Sequence, residues 1–369
     1  MEKTVVEFFA GIGLMRLGLE QTGWQVKYAN DISSDKETLY TSNFGRDHFV
    51  RGDIHELATA RIPTATLATA SFPCTDLSLA GGRAGLQGKE SSAFWGFIRI
   101  LSEFKEQDRI PPLVLLENVV GFLTSHQGAD LHLALQALNR LGYAVDAIIL
   151  DAAWFVPQSR QRLFIIGVQR EYREKAPSSL PLASPVRPKA LVDFMLHHPD
   201  ISWCITPLPS PPSRTISLAE VLEELPDEHS DWWSKERADY LLNQMSDRHR
   251  SQAEEMRQAQ SWSYGTVFRR MRQGKSMAEL RTDGIAGCLR TPKGGSARQI
   301  LVRLGYGRYD VRLLTGRECA RLMGTPDSFL LEVPLNQALF AFGDAVCVPV
   351  VTWLSENYLI PLYREISVG

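Results

Sequence analysis

The run Thr4-Val5-Val6-Glu7-Phe8-Phe9 constrains the fold more than any other stretch of the chain. It is β-branched and aromatic, of strand length, and it ends in Ala10-Gly11-Ile12-Gly13. Leu14, Met15, Leu17, Gly18 and Leu19 then recur at helical spacing. Strand, glycine turn and helix in that order open a βαβ unit, whose parallel sheet must be covered by helices on both faces. The glycines let a ligand approach the backbone, and the helix start offers free N–H groups. A dinucleotide fingerprint would need a further glycine at position 16, where Arg16 stands, so a nicotinamide-dependent oxidoreductase is a distant reading.

The alternation continues. Trp24–Ala29 reads as a second strand ending in Asn30-Asp31, and a helix from about Ser34 to Asn43 leads to Gly52-Asp53-Ile54. Acids at the tips of successive strands more often cap turns one at a time. Together they are placed to accept ribose hydroxyls and an adenine amino group, and they favour an adenosyl ligand. Thr66–Ala70 is a short buried strand that Pro73 ends, having no N–H for the ladder. Cys74 therefore enters the loop with Thr75, Asp76 and Ser78 and the glycines 81, 82, 85 and 88. Most free cysteines are small buried hydrophobes, but one at the carboxyl edge of a parallel sheet is a candidate nucleophile. The four-glycine loop is expected to close over the site as a lid.

An apolar helix (about 93–104) and the strand Leu113–Leu116 bring Glu117-Asn118-Val119 to the same edge. A carboxylate at the tip of so apolar a strand is expected to be partly desolvated, which raises its pKa toward acid–base work. A helix (about 130–141) and a strand (143–150) precede Gln158-Ser159-Arg160-Gln161-Arg162 and the strand 163–167. Arg160 and Arg162 share a face at period two, as salt-bridging cations or as a cationic pair over the site. Nine of the twenty prolines fall in 177–212, a connector into irregular structure.

At 369 residues the chain is long enough for one large domain and a smaller one. The net charge of −2 argues against a nucleic-acid partner, but its distribution does not. Residues 248–321 hold sixteen Lys/Arg against six Asp/Glu, interleaved with Trp262, Tyr264, Phe268, Tyr306 and Tyr309. The rest of the chain then sums to about −12, and such asymmetry marks a phosphate-contacting surface rather than a merely solvated basic face. Five unpaired, scattered cysteines fit a reducing, cytoplasmic setting and suggest neither disulfides nor zinc. No apolar run approaches membrane-span length, and the start has no signal-peptide pattern.

Six motifs in order resemble the DNA (cytosine-5) methyltransferase family: Phe9–Gly13, Phe72-Pro73-Cys74, Glu117-Asn118-Val119, Gln158–Arg162, Arg317–Gly324 with Pro326-Asp327, and Gly343-Asp344-Ala345-Val346. The resemblance implies an α/β fold: a doubly wound, mostly parallel sheet of the S-adenosylmethionine-dependent type, with a smaller, irregular target-recognition domain. It implies catalytic and cofactor residues in 1–170, target recognition in 171–330 and a return to the first domain in 331–369. It implies Cys74 as nucleophile at cytosine C6, Glu117 at N3, Arg160 at O2 and Arg162 stabilising charge. Phe9, Ala10, Gly11, Ile12, Gly13, Asp31, Ile32, Asp53, Ile54, Pro73, Asp344 and Ala345 fall on the cofactor side. Ser78, Asn118, Gln158, Arg290, Lys293, Ser296 and Arg298 fall on the DNA side. The Arg317–Asp327 motif would brace the recognition region against the catalytic domain. The implied partner is double-stranded DNA, with no metal and no membrane, and the protein is expected as a monomer.

Leu14, Asp31, Ile32 and Asp344 depart from the family's usual residues on the cofactor side, and none is a chemical residue. The family's tRNA-methylating relative shares the chemistry but lacks so long a recognition region. A silent DNA-binding paralogue would not need Cys74, Glu117, Arg160 and Arg162 together.

Overall fold

The fold is that of a computed structural model, which describes residues 1–73, 93–172, 182–272, 274–291 and 298–368. Seven strands form one sheet: β1 (Thr4–Phe8), β2 (Gln25–Asp31), β3 (Phe49–Arg51), β4 (Leu67–Ala70), β5 (Leu113–Val119), β6 (Tyr143–Asp151) and β7 (Gln161–Gln169). Their order is β3-β2-β1-β4-β5-β7-β6, with β7 antiparallel to both neighbours and the other pairings parallel. The doubly wound, mostly parallel sheet that the resemblance implies is thus present. Helices α1 (Leu14–Glu20), α2 (Ser34–Phe44) and α3 (Ala93–Glu106) follow β1, β2 and β4. The core on one face joins Val6, Phe8, Val114 and Leu116 to Phe94, Phe97 and Leu101 of α3. Burying each such side chain contributes roughly 1.5–3 kcal/mol.

Strand order reverses between β1 and β4, so the turn after β1 and the residues after β4 flank the topological switch point, where ligands of open α/β sheets bind.

Two compact units divide the chain: Met1–Asp151 with Gln161–Pro211 and Val350–Gly369, and Ala152–Arg160 with Pro212–Pro349. The resemblance implies boundaries near 170 and 330, whereas contacts divide the chain at Pro211 and Pro349. One cause is pairing at the sheet edge. Trp203 bridges Val145 of β6, and Arg187 ion-pairs with the buried Asp146, which also accepts from Tyr358 Oη at 2.7 Å. Residues 182–206 and the C-terminal segment are thereby tied to the first sheet.

The second unit is more regular than its glycine, arginine and proline content suggests. It contains an antiparallel sheet in the order β11-β10-β8-β9, formed by β8 (Ser263–Arg272), β9 (Lys275–Arg281), β10 (Ile300–Gly305) and β11 (Arg308–Leu313). Val267, Leu280, Val302 and Val311 face the core against Ala238, Leu241 and Met245. The tract Leu335–Ser367 corrects the expectation about membrane length, being long and apolar enough by composition to cross a bilayer. Its most apolar window is 67% buried inside the protein, however, which is how a core helix passes the same test.

Glu7 on β1 is buried, and burial pushes its carboxyl up to about 8, with the nearby Arg16 guanidinium opposing that shift. A carboxyl raised from 4.5 to about 8 keeps a proton in the native state that the unfolded chain has released. Stability therefore falls as pH rises across that window. Glu7→Gln is expected to raise stability on the order of a few kcal/mol at pH 9 and hardly at all near pH 4.5. Thermal unfolding at the two pH values checks this, and an equal gain at both would refute it.

Candidate active site

The glycine turn is built by left-handed backbone at Phe9 (φ 56°), Gly11 (φ 59°) and Gly13 (φ 83°). For Phe9 this conformation costs on the order of 1 kcal/mol, a strain that tends to be kept at functional sites. A Cβ on Gly13 would meet Phe44 at 2.3 Å, so α2 closes directly onto the turn. A Cβ on Gly11 would meet nothing within 4 Å, so the space over the turn is open to a ligand.

Asp31, at the tip of β2, holds this turn in place. Its Oδ2 accepts from Gly11 N (2.9 Å) and its Oδ1 from Ser33 N (2.9 Å). Asn30, which the sequence reading passed over, donates from Nδ2 to Val50 O (3.0 Å) and Gly52 O (2.9 Å), fixing the approach to Asp53. Asp53 caps a short helical turn through His55 N (2.9 Å), with Ile54 buried behind it. Ile32 is 66% exposed and so offers an apolar side chain to a ligand. Ala10 and Ile12 are buried, so only their backbone can face one. Open backbone at Gly11, acids at two strand ends and an exposed apolar residue between them fit an adenosyl group.

Beyond β4, Phe72 packs against Phe94 and Phe122, and its carbonyl accepts from Asn118 Nδ2 at 3.2 Å. This anchors the chain at the carboxyl edge, where Pro73 is exposed. Cys74 and Ser78 lie outside the described residues, as do Lys293 and Ser296. Glu117 is 5% exposed on β5 and forms an ion pair with Arg162 of β7, Oε1 to Nε at 2.9 Å. The antiparallel register, with Val119 opposite Arg162, brings these two side chains together.

The two arginines do not act as a pair. Gln158–Arg160 belongs to the second unit and Gln161–Arg162 to the first. Arg160 is buried, and its Nη1 and Nη2 donate to main-chain carbonyls of Leu289, Gly343 and Ala345. The resemblance puts Arg160 at cytosine O2, whereas in the fold both of its Nη atoms bond main chain. Asn118 and Gln158, expected on the DNA side, are also buried in structural hydrogen bonds.

Of the DNA-side candidates, Arg290 is exposed and Arg298 half-buried, with its Nη2 on Asn336 Oδ1 at 2.6 Å. Asp344 is exposed and Ala345 half-buried, both in the second unit. Among the described residues of 248–321, Arg257, Arg272, Arg281, Arg303, Arg308, Arg312 and Arg321 are ion-paired within the fold. Their alternation with acids and tryptophans serves packing as well as charge. The Arg317–Asp327 motif finds its partners inside the second unit: Arg321 pairs with Asp327 and reaches Val221 O and Leu222 O, and Arg317 Nη2 donates to Phe329 O at 2.9 Å.

Among the described residues no group of three metal-ligating side chains comes together. Cys204, Cys319 and Cys347 are buried, and burial pushes the Cys319 thiol well above its usual range.

A family model described as C-5 cytosine-specific DNA methylase matches residues 3–359, and the chain belongs to that family. It is 29% identical to the Type II methyltransferase M.DsaV of Dactylococcopsis salina over 97% of this chain and 87% of that protein. It is 26% identical to M.HhaI of Haemophilus parahaemolyticus over 95% and 93%. Among solved structures, the S. pombe Dnmt2 methyltransferase superposes with a TM-score of 0.62 at 19% identity, covering 98% of this chain and 99% of that one, which speaks for the fold alone. Family membership makes the chain a C-5 cytosine methyltransferase and implies S-adenosylmethionine as methyl donor and DNA as substrate.

Proposed function

We propose that this protein flips a cytosine out of duplex DNA and methylates its C5 within a short specific sequence, with Cys74 as the covalent nucleophile. The observation that carries the reading is the Glu117–Arg162 ion pair at the carboxyl end of β5, on the strand next to the one that delivers Pro73 and Cys74. C6 of cytosine is electrophilic only when N3 is protonated or strongly hydrogen-bonded. Glu117, in its protonated form, donates its proton to N3 and is left as the carboxylate. Arg162, and not Arg160, is the cation placed to hold O2 and to balance the Glu117 carboxylate as the proton moves. The Cys74 thiolate forms the S–C6 bond, and the C5–C6 π pair localises on C5. S-adenosylmethionine, when bound, supplies the electrophilic methyl. Transfer of the C5 proton to water, elimination of the thiolate and return of the N3 proton to the Glu117 carboxylate then restore the ring. Gly11, Asp31, Ile32 and Asp53 hold the adenosyl group, with Phe9 and Pro73 beside it.

On the DNA side, β8 and β9 continue as a two-stranded ribbon past β10, whose pairing with β8 ends at Val267. Its end exposes Arg270, Met271, Arg272 and Lys275. A two-stranded ribbon of this kind fits the major groove. Arg290 and Arg298 contribute from the neighbouring segment. The names of the relatives, Type II methyltransferases, support sequence-specific modification as the setting.

The test is mechanism-based trapping. A duplex carrying 5-fluorocytosine at the methylated position, incubated with S-adenosylmethionine, is expected to leave a covalent adduct on Cys74, because fluorine blocks the final elimination. Peptide mapping that finds no adduct, or places it on another residue, would overturn the mechanism.

A further inference from the structure

The residues from Pro157 to Arg160 hold one stretch of the second unit's main chain from several directions. Ala286 N donates to Pro157 O (2.8 Å) and Ser159 N donates to Ala286 O (2.9 Å), so the two segments run as a short rung of sheet. Gln158 Oε1 accepts from Leu289 N (3.0 Å), while its Nε2 donates to Leu322 O (2.7 Å). Arg160 Nη1 donates to Leu289 O (2.8 Å) and reaches Cys288 Sγ (3.4 Å). Its Nη2 donates to Gly343 O (3.0 Å) and Ala345 O (2.5 Å). Gly343 meets the same stretch through bare backbone: a Cβ there would lie 2.4 Å from Thr291 N and 2.6 Å from the Arg290 carbonyl carbon.

The peptide groups of Leu289 are thus clamped at both N–H and C=O, one residue before the exposed Arg290. Arg290 and Arg298 line one cavity with Leu289, Cys319 and Phe342. A side chain that reads a base edge must be held to within about half an ångström, whereas a phosphate contact tolerates movement. We propose that Arg160 is a positioning residue for DNA sequence discrimination: without touching DNA, it sets the main chain at Leu289 so that Arg290 meets the duplex in one register. The proposal rests on the reading of this chain as a sequence-specific DNA methyltransferase. A planar guanidinium is needed because it must serve carbonyls of two separate segments in one plane, which an ammonium cannot do.

The experiment compares wild type, Arg160→Lys and Gly343→Ala, the last disturbing the same stretch without altering any charge. Sequencing of plasmid DNA methylated by the wild type first identifies its site. Initial methylation rates are then measured on that duplex and on duplexes with one flanking base pair changed. The ratio of the two rates is expected to fall roughly tenfold or more in both variants, the scale of discrimination at one base pair. The salt dependence of duplex binding is expected to stay at its wild-type value, since phosphate contacts are untouched. Rates that drop by the same factor on both duplexes, an unchanged ratio in either folded variant, or failure of both variants to fold would each assign Arg160 a merely structural role and overturn the proposal. A wild type that methylates no duplex cytosine would instead overturn the underlying function, and this inference with it.

Discussion

Cys74→Ser is expected to abolish methyl transfer to duplex DNA while leaving the binding of S-adenosylhomocysteine and of duplex at wild-type strength. The attacking group must be soft and anionic near neutral pH, and a thiol can reach that state where an alcohol does not. Of the described cysteines, Cys204, Cys319 and Cys347 are buried, and Cys288 Sγ accepts from Arg160 Nη1. The Glu117–Arg162 pair would remain in the variant and could still polarise the base. Without a nucleophile at C6, however, that polarisation does not produce the electron density C5 needs. The loss is expected to be roughly 10^4-fold or more, the scale on which removal of a nucleophile acts. Transfer of labelled methyl to DNA measures it, with calorimetry on the cofactor product as the binding control. Residual turnover within tenfold of wild type would sink the nucleophile assignment.

Arg312→Ala is expected to destabilise the second unit by about 3–5 kcal/mol, the cost of leaving a buried charge without its partner. Arg312 and Glu318 are 1% and 0% exposed and bonded through both guanidinium arms, with Nη1 to Oε2 at 2.6 Å. Glu318 also accepts from Glu223 N (2.9 Å) and Thr315 N (2.9 Å), and Arg312 lies over the Trp232 ring at 5.1 Å. One carboxylate therefore caps its own helix, Gly316–Leu322, and fixes the segment at 223. Replacing both partners, as Arg312→Met with Glu318→Leu, is expected to recover much of the loss, because no unpaired charge is then left behind. Urea unfolding of the wild type and both variants checks this. A single substitution costing less than about 1 kcal/mol would show that water reaches the pair.

Both results bear on how much of the molecule is legible from residues alone. Strands β1, β4 and β5 are largely buried, so they read as apolar runs, and the Ala10–Gly13 turn, Pro73 and Glu117 stand out where those runs end. The chemistry at the carboxyl edge is legible for that reason. The second sheet is not, because β8 to β11 mix arginines and glycines with their core residues. Cations such as Arg303 and Arg312 look solvated in sequence, yet they are packed against tryptophans and acids. Asp227 pairs with Arg303 across 76 positions and Asn118 reaches Phe72 across 46, distances over which no local pattern survives.

The sequence by itself determined the opening βαβ unit, the strand ends at the glycine turn and at Pro73, and the set of side-chain types the chemistry requires. Those properties follow from local periodicity and from where strands must stop. Only the tertiary structure decided which arginine stands beside Glu117. Period-two spacing makes Arg160 and Arg162 equivalent, but β7 begins at Gln161. Arg162 is therefore held opposite Val119 by the antiparallel ladder, while Arg160 turns to the main-chain carbonyls of Leu289, Gly343 and Ala345. Those carbonyls lie more than a hundred residues further along the chain, and only folding brings them to one guanidinium.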